Sequence, residues 1–95
     1  MNAVVTTEIN LGVVSSSAEL HKLLALRLHF PEYYGANWDA FWDCVRDPEQ
    51  SQLPPKLIFH GWSQLAARLP RDSEILRQCL ADLVTERADC EIVVL

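Results

Sequence analysis

Ninety-five residues, about half of them hydrophobic, suffice for one domain (residues 1–95) with one core, and not for two. A formal net charge of −5 argues against nucleic acid as a direct partner, because phosphate binding needs a basic surface. The longest unbroken apolar runs are four residues, Leu23–Leu26 and Ile92–Leu95, too short for a membrane-spanning helix.

In chain order, MNAVVTTEIN has no basic n-region and no long apolar stretch, so the reading is a cytoplasmic protein without a secretory signal. Ala3 to Ile9 is rich in β-branched residues and predicts a first strand. Ser16-Ser17-Ala18-Glu19 has the S-x-x-E form of a capping box. Leu20, Leu23, Leu24 and Leu28 then give a helical stripe that ends before Pro31. His21 and His29 show no metal spacing and no nearby nucleophile, and both are expected at the surface or an edge. A second helix is expected from Asn37 or Trp38 to about Arg46. Asp47 to Pro55 (DPEQSQLPP) is polar and proline-rich, a connection. Lys56 to His60 reads as a strand ended by Gly61, and Trp62 to Leu69 as a short helix with Trp62 and Leu65 facing inward. Asp72 or Ser73 is expected to cap the last helix. There Leu76, Cys79, Leu80 and Leu83 keep helical spacing, and Ile75 and Val84 widen the stripe. Glu91 to Leu95 is a final strand. The order is strand, two helices, strand, two helices, strand. That order predicts an α/β fold of two layers, a small three-stranded parallel sheet covered by about four helices.

The most specific stretch is Pro31 to Cys44, PEYYGANWDAFWDC. Gly35 supplies a turn with room for positive φ, and Asn37 supplies a helix cap. Tyr34 can pack inward or outward. Trp38, Phe41 and Val45 fall at i, i+3 and i+7, an apolar stripe that needs a core. Asp39, Trp42 and Asp43 fall at i, i+3 and i+4, two carboxylates around one indole. Acids and aromatics displayed together make a poor core face and a good recognition face for something basic. From Pro31 to Gln50 there are five acids against one base, a local net of −4. The helix dipole accounts for an acid at Asp39, in the first turn, but not for Asp43 further along.

No nucleophile with a base, metal cluster or glycine-rich phosphate cradle is visible, so no catalytic residue, cofactor or metal is expected. Asp39 and Asp43, one turn apart on a helix surface, do not converge on a pocket as a catalytic acid/base pair must. Cys44, Cys79 and Cys90 form no C-x-x-C pair and read as reduced, buried thiols.

PEYYGANWDAFWDC resembles the loop and second helix of the barstar family, small intracellular inhibitors of secreted guanyl-specific ribonucleases. AELHKLLALRL, LIFHGWSQL and CEIVVL have family counterparts in the same order, as do Cys44 and Cys90, so the resemblance covers most of the chain. It implies inhibition by occlusion. The aspartate aligned with Asp43 enters the ribonuclease active site, surrounded by residues aligned with Tyr33, Gly35, Asn37, Asp39 and Trp42. The implied partner is a basic secreted ribonuclease of the barnase type, met by a monomeric acidic protein. A barstar-like binding or immunity module for a different protein is the alternative. The resemblance further implies a cis prolyl bond at Pro54-Pro55. Several positions depart from it. Ala36 stands where the family has an acid, Trp38 where it has a smaller aliphatic residue, Cys79 is an addition, and DPEQSQLPP is extended. The family's last-helix glutamate falls at Val84, with Glu86 two residues away, and that contact is left unassigned.

Overall fold

The computed structural model describes residues 6–32, 34–47, 49 and 53–95. Strand β1 (Thr6–Asn10) runs through a 3-10 turn (Leu11–Val13) to helix α1 (Ser17–Leu28) and then α2 (Trp38–Arg46). Strand β2 (Lys56–His60) follows, then α3 (Trp62–Arg68), α4 (Pro70–Glu86) and β3 (Glu91–Val94). The strands are ordered β1-β2-β3 and all pair in parallel, with Glu8 opposite Ile58 and Ile58 opposite Val93. This is the two-layer α/β arrangement expected. The expected stretch Ala3–Val5 of the first strand lies outside the described residues.

Alternation along the strands divides the sheet into two faces. Ile9, Leu57 and Phe59 point into the core with Leu20, Leu24, Leu28, Phe41, Leu65, Leu76 and Leu83. The opposite face carries half-buried Ile58 and Val93 among charged pairs: His60 Nε2 lies 2.6 Å from Glu8 Oε1, and Lys56 Nζ 3.8 Å from Glu91 Oε2. Gly61 joins β2 to α3 with φ 75°, and a Cβ there would lie 2.7 Å from the Gly12 nitrogen. That position needs glycine for both reasons.

Several local expectations are corrected. Ser16 caps α1, accepting from Glu19 N–H at 3.1 Å, but Glu19 returns its bond to Ser15 N–H at 2.8 Å rather than to Ser16, so the capping box is shifted by one residue. Helix α4 starts at Pro70 and is capped by neither Asp72 nor Ser73. Proline's fixed φ suits the first helical position, and this brings Asp72 into the first turn. Val84 is 45% exposed and does not widen the apolar stripe. His21 is 2% exposed, not a surface residue, because it lies on the side of α1 that the loop 31–37 and α2 cover. Among the described residues there is no cis peptide bond, so Pro54 and Pro55 both follow trans bonds. Cys44 and Cys90 are buried and Cys79 partly so. Burial pushes all three thiols above their usual range.

Candidate protein-binding face

Helix α1 ends at His29 in the left-handed conformation, φ 58°, with Phe30 N–H returning to Ala25 O at 3.0 Å. The chain then turns at Pro31, where Tyr34 N–H donates to Pro31 O at 3.0 Å. The left-handed loop residue is Ala36 (φ 52°), not Gly35. Gly35 serves another need: a Cβ there would stand 3.1 Å from Asn37 Nδ2, the amide that donates to Gly35 O at 3.2 Å. Asn37 Oδ1 accepts from Ala40 N–H at 2.8 Å, so both ends of this side chain are spent on shaping the loop and capping α2.

Tyr34 turns inward. Its hydroxyl lies 2.5 Å from His21 Nδ1 and 3.4 Å from Asn37 O, and its ring is 5.0 Å from that of Phe30. Burial drives the phenol well above its usual pKa and the His21 imidazole below 6.5, with Asp72 opposing the latter. Burial disfavours the charged form of each.

Helix α2 divides as its spacing predicts. Phe41 and Val45 are buried, and the half-buried Trp38 packs beside them with its ring 5.3 Å from Phe41. Asp39 and Asp43 are exposed, and Trp42 is half-buried between them. The Arg46 guanidinium sits 5.8 Å from the Trp42 ring and 3.9 Å from Glu86 on α4. That pair closes one side of a shallow cleft lined by Asp43, Arg46, Asp47 and Glu86, next to a second lined by Trp42, Asp82, Thr85 and Glu86.

Of the residues singled out in the sequence, Gly35 and Asn37 meet through a hydrogen bond, and Asp39, Trp42 and Asp43 share one helix face. Tyr33 lies outside the described residues. Asp82, Thr85 and Glu86 join this face from α4, and no motif in the sequence marks them. The signal for the two acids was their i, i+4 spacing on the polar side of α4, which by itself reads as any solvated helix face. Only the packing of α4 on α2 brings them to Trp42 and Asp43. The arrangement offers carboxylates and one indole on rigid helices. Among the described residues, no group of three or more His, Cys, Asp or Glu is placed to hold a metal ion, and no helix is long and apolar enough to cross a membrane.

Residues 4–95 match the family described as Barstar (barnase inhibitor). Over 26 residues the chain is 58% identical to a protein of Bacillus subtilis (strain 168) named "Putative ribonuclease inhibitor YrdF". That match spans 27% of this chain and 29% of the length of that relative.

Proposed function

The chain belongs to the barstar family, and from that premise we propose that it is an intracellular inhibitor of a barnase-type guanyl-specific ribonuclease. It acts as a single domain and a monomer, blocking the enzyme's active site with the loop 31–37 and α2. The observation that carries this reading is the exposure of Asp39 and Asp43 on either side of Trp42, on a helix whose opposite side is buried. A ribonuclease cleft is concave and positive where it holds phosphate. Carboxylates fixed on a helix mimic a polyanion there without the entropy cost of ordering a flexible chain. Trp42 supplies a half-buried aromatic anchor beside the charges, the residue type that dominates interface energetics. Asp82 and Glu86 extend the acidic rim from α4. The family resemblance implies that Tyr33, Gly35 and Asn37 also meet the partner. The relative's name, a ribonuclease inhibitor, supports the same class of partner.

The test is RNA cleavage by a barnase-type ribonuclease with this protein added at equimolar ratio. Suppression is the expected result. Undiminished cleavage with the protein folded would overturn the reading. Ala36, in place of a family acid, favours a second reading, an immunity module with another basic protein as partner. Capture of a basic protein without ribonuclease activity would support it.

A further inference from the structure

One carboxylate oxygen joins the first turns of three helices. Asp72 Oδ1, in the first turn of α4, accepts from Trp38 Nε1–H at 2.9 Å and from Ser17 Oγ–H at 3.4 Å. Trp38 opens α2 and Ser17 opens α1. The indole N–H is a donor only, so the direction of the Trp38 bond is fixed. The Trp38 ring is held on its other contacts by His21, with ring centres 4.4 Å apart, and by Phe41 at 5.3 Å.

Helix α2 has nine residues, too few to be stable alone. Burial of Phe41 and Val45 holds it against the core, but hydrophobic attraction has no direction and leaves rotation about the helix axis soft. At its far end the Arg46–Glu86 pair is about half exposed and 3.9 Å long, a weak restraint. The Trp38–Asp72 bond is part-buried, short and charge-assisted. Arg87 Nη1 also reaches α2, donating to Val45 O at 3.4 Å, and the Trp38–Asp72 bond is shorter than both that bond and the Arg46–Glu86 pair.

We propose that Asp72 is a positioning residue of the partner-binding face: through Trp38 it fixes the orientation of α2, and with it the placement of Asp39, Trp42 and Asp43, without touching the partner. The part concerning the partner rests on the ribonuclease-inhibitor reading. The part concerning α2 does not.

Four variants test it: Asp72→Ala, Asp72→Asn, Trp38→Phe, and the Asp72→Ala/Trp38→Phe pair. Asparagine keeps an acceptor oxygen and removes the charge, while phenylalanine removes the donor and leaves Asp72 Oδ1 to Ser17 and solvent. In the free protein, amide exchange across Phe41–Arg46 should quicken about tenfold in Asp72→Ala, the scale of one hydrogen bond to a charged group. Amides of β2 should not change, and Asp72→Asn, with a weaker neutral bond, should recover part of the difference from the parent. Against a catalytically inactive barnase-type ribonuclease, dissociation should quicken by a similar factor in Asp72→Ala and in Trp38→Phe. The double variant should be no worse than either. A role confined to satisfying the indole N–H predicts otherwise, with Trp38→Phe and the double variant dissociating as the parent does. That result overturns the proposal, as do unchanged α2 exchange in Asp72→Ala or exchange in Asp72→Asn as fast as in Asp72→Ala. If the parent does not bind the ribonuclease, the inhibitor reading falls, and the exchange measurements alone decide the orientation of α2.

Discussion

Asp43 and Phe41 sit two residues apart on one helix and answer to different forces. Asp43 is exposed, so its removal costs the free protein little. In the complex the partner's basic groups would be left buried without a counter-charge, and inhibition by Asp43→Ala should weaken by more than about 2 kcal/mol. A barstar aspartate is itself the extreme case on that hot-spot scale. Asp39→Ala should weaken inhibition less and cost a little helix stability, since a first-turn acid interacts favourably with the dipole. Phe41 is 0% exposed, and Phe41→Ala should destabilise the fold by about 3–5 kcal/mol. Paired titrations, inhibition against enzyme and unfolding against denaturant, separate the three, and an Asp43→Ala protein that inhibits like the parent misplaces the site. Titration at His21 and Tyr34 sets a second expectation. Folded His21 holds its proton less readily than the unfolded chain does, so its contribution is present above pH 6.5 and is lost as pH falls below it. Tyr34 has the opposite sign: its raised pKa favours the folded state below pH 10, and that contribution is lost as pH rises further. Denaturant midpoints across pH 5 to 11 should fall at both ends, less at the acid end in His21→Gln and less at the alkaline end in Tyr34→Phe. Equal acid-side loss in His21→Gln and the parent would clear His21 of the effect.

At the scale of elements, the strands and the split of α2 were legible because period and burial agree. Lys56–His60 follows its pattern to the residue, and Trp38–Arg46 falls within the bounds expected, Asn37 or Trp38 to about Arg46. What the sequence hid was set by tertiary contact. His21 looks like an edge histidine until Tyr34 and Trp38 close over it, and the start of α4 looks capped by Asp72 until Pro70 claims the first position and Trp38 claims the carboxylate. The loop shows the same limit. Its glycine suggests positive φ, yet Ala36 adopts it and Gly35 makes room for Asn37. Two glycines therefore part in a direct comparison. Gly61→Ala should cost about 1–3 kcal/mol from its left-handed φ, with the crowding at Gly12 adding to it. Gly35→Ala should cost less, at most about the 1 kcal/mol of the Asn37 cap it crowds, which Asn37→Ala loses outright. Denaturant midpoints for the three give the ranking directly, and a Gly35→Ala loss as large as that of Gly61→Ala would contradict the loop geometry.

Across the whole molecule, the charge is uneven in a way that the net value of −5 understates. On the sheet face opposite the helices, Glu8 pairs with His60 and Lys56 with Glu91. Arg87, at the end of α4, reaches Val45 O, but around α2 five acids between Pro31 and Gln50 meet one base of their own segment. That base, Arg46, is drawn to Glu86 and over the Trp42 ring. Asp82 and Glu86 add their charge from α4. The negative field thus leaves the molecule chiefly through the face proposed for binding, and a basic partner should be steered to it. Association should reach about 10⁸ M⁻¹s⁻¹ or more at low salt. The Debye length shrinks to about 10 Å at 0.1 M and about 3 Å at 1 M, so added salt should slow association strongly. Dissociation, governed by desolvated short-range contacts, should change much less. Asp39→Asn should lower the slope of log association rate against salt, and Glu91→Gln, on the paired face, should leave it nearly unchanged. Stopped-flow rates over a salt series measure both. A flat series for the parent, or equal slope changes for the two variants, would mean that the acids around α2 do not guide the encounter.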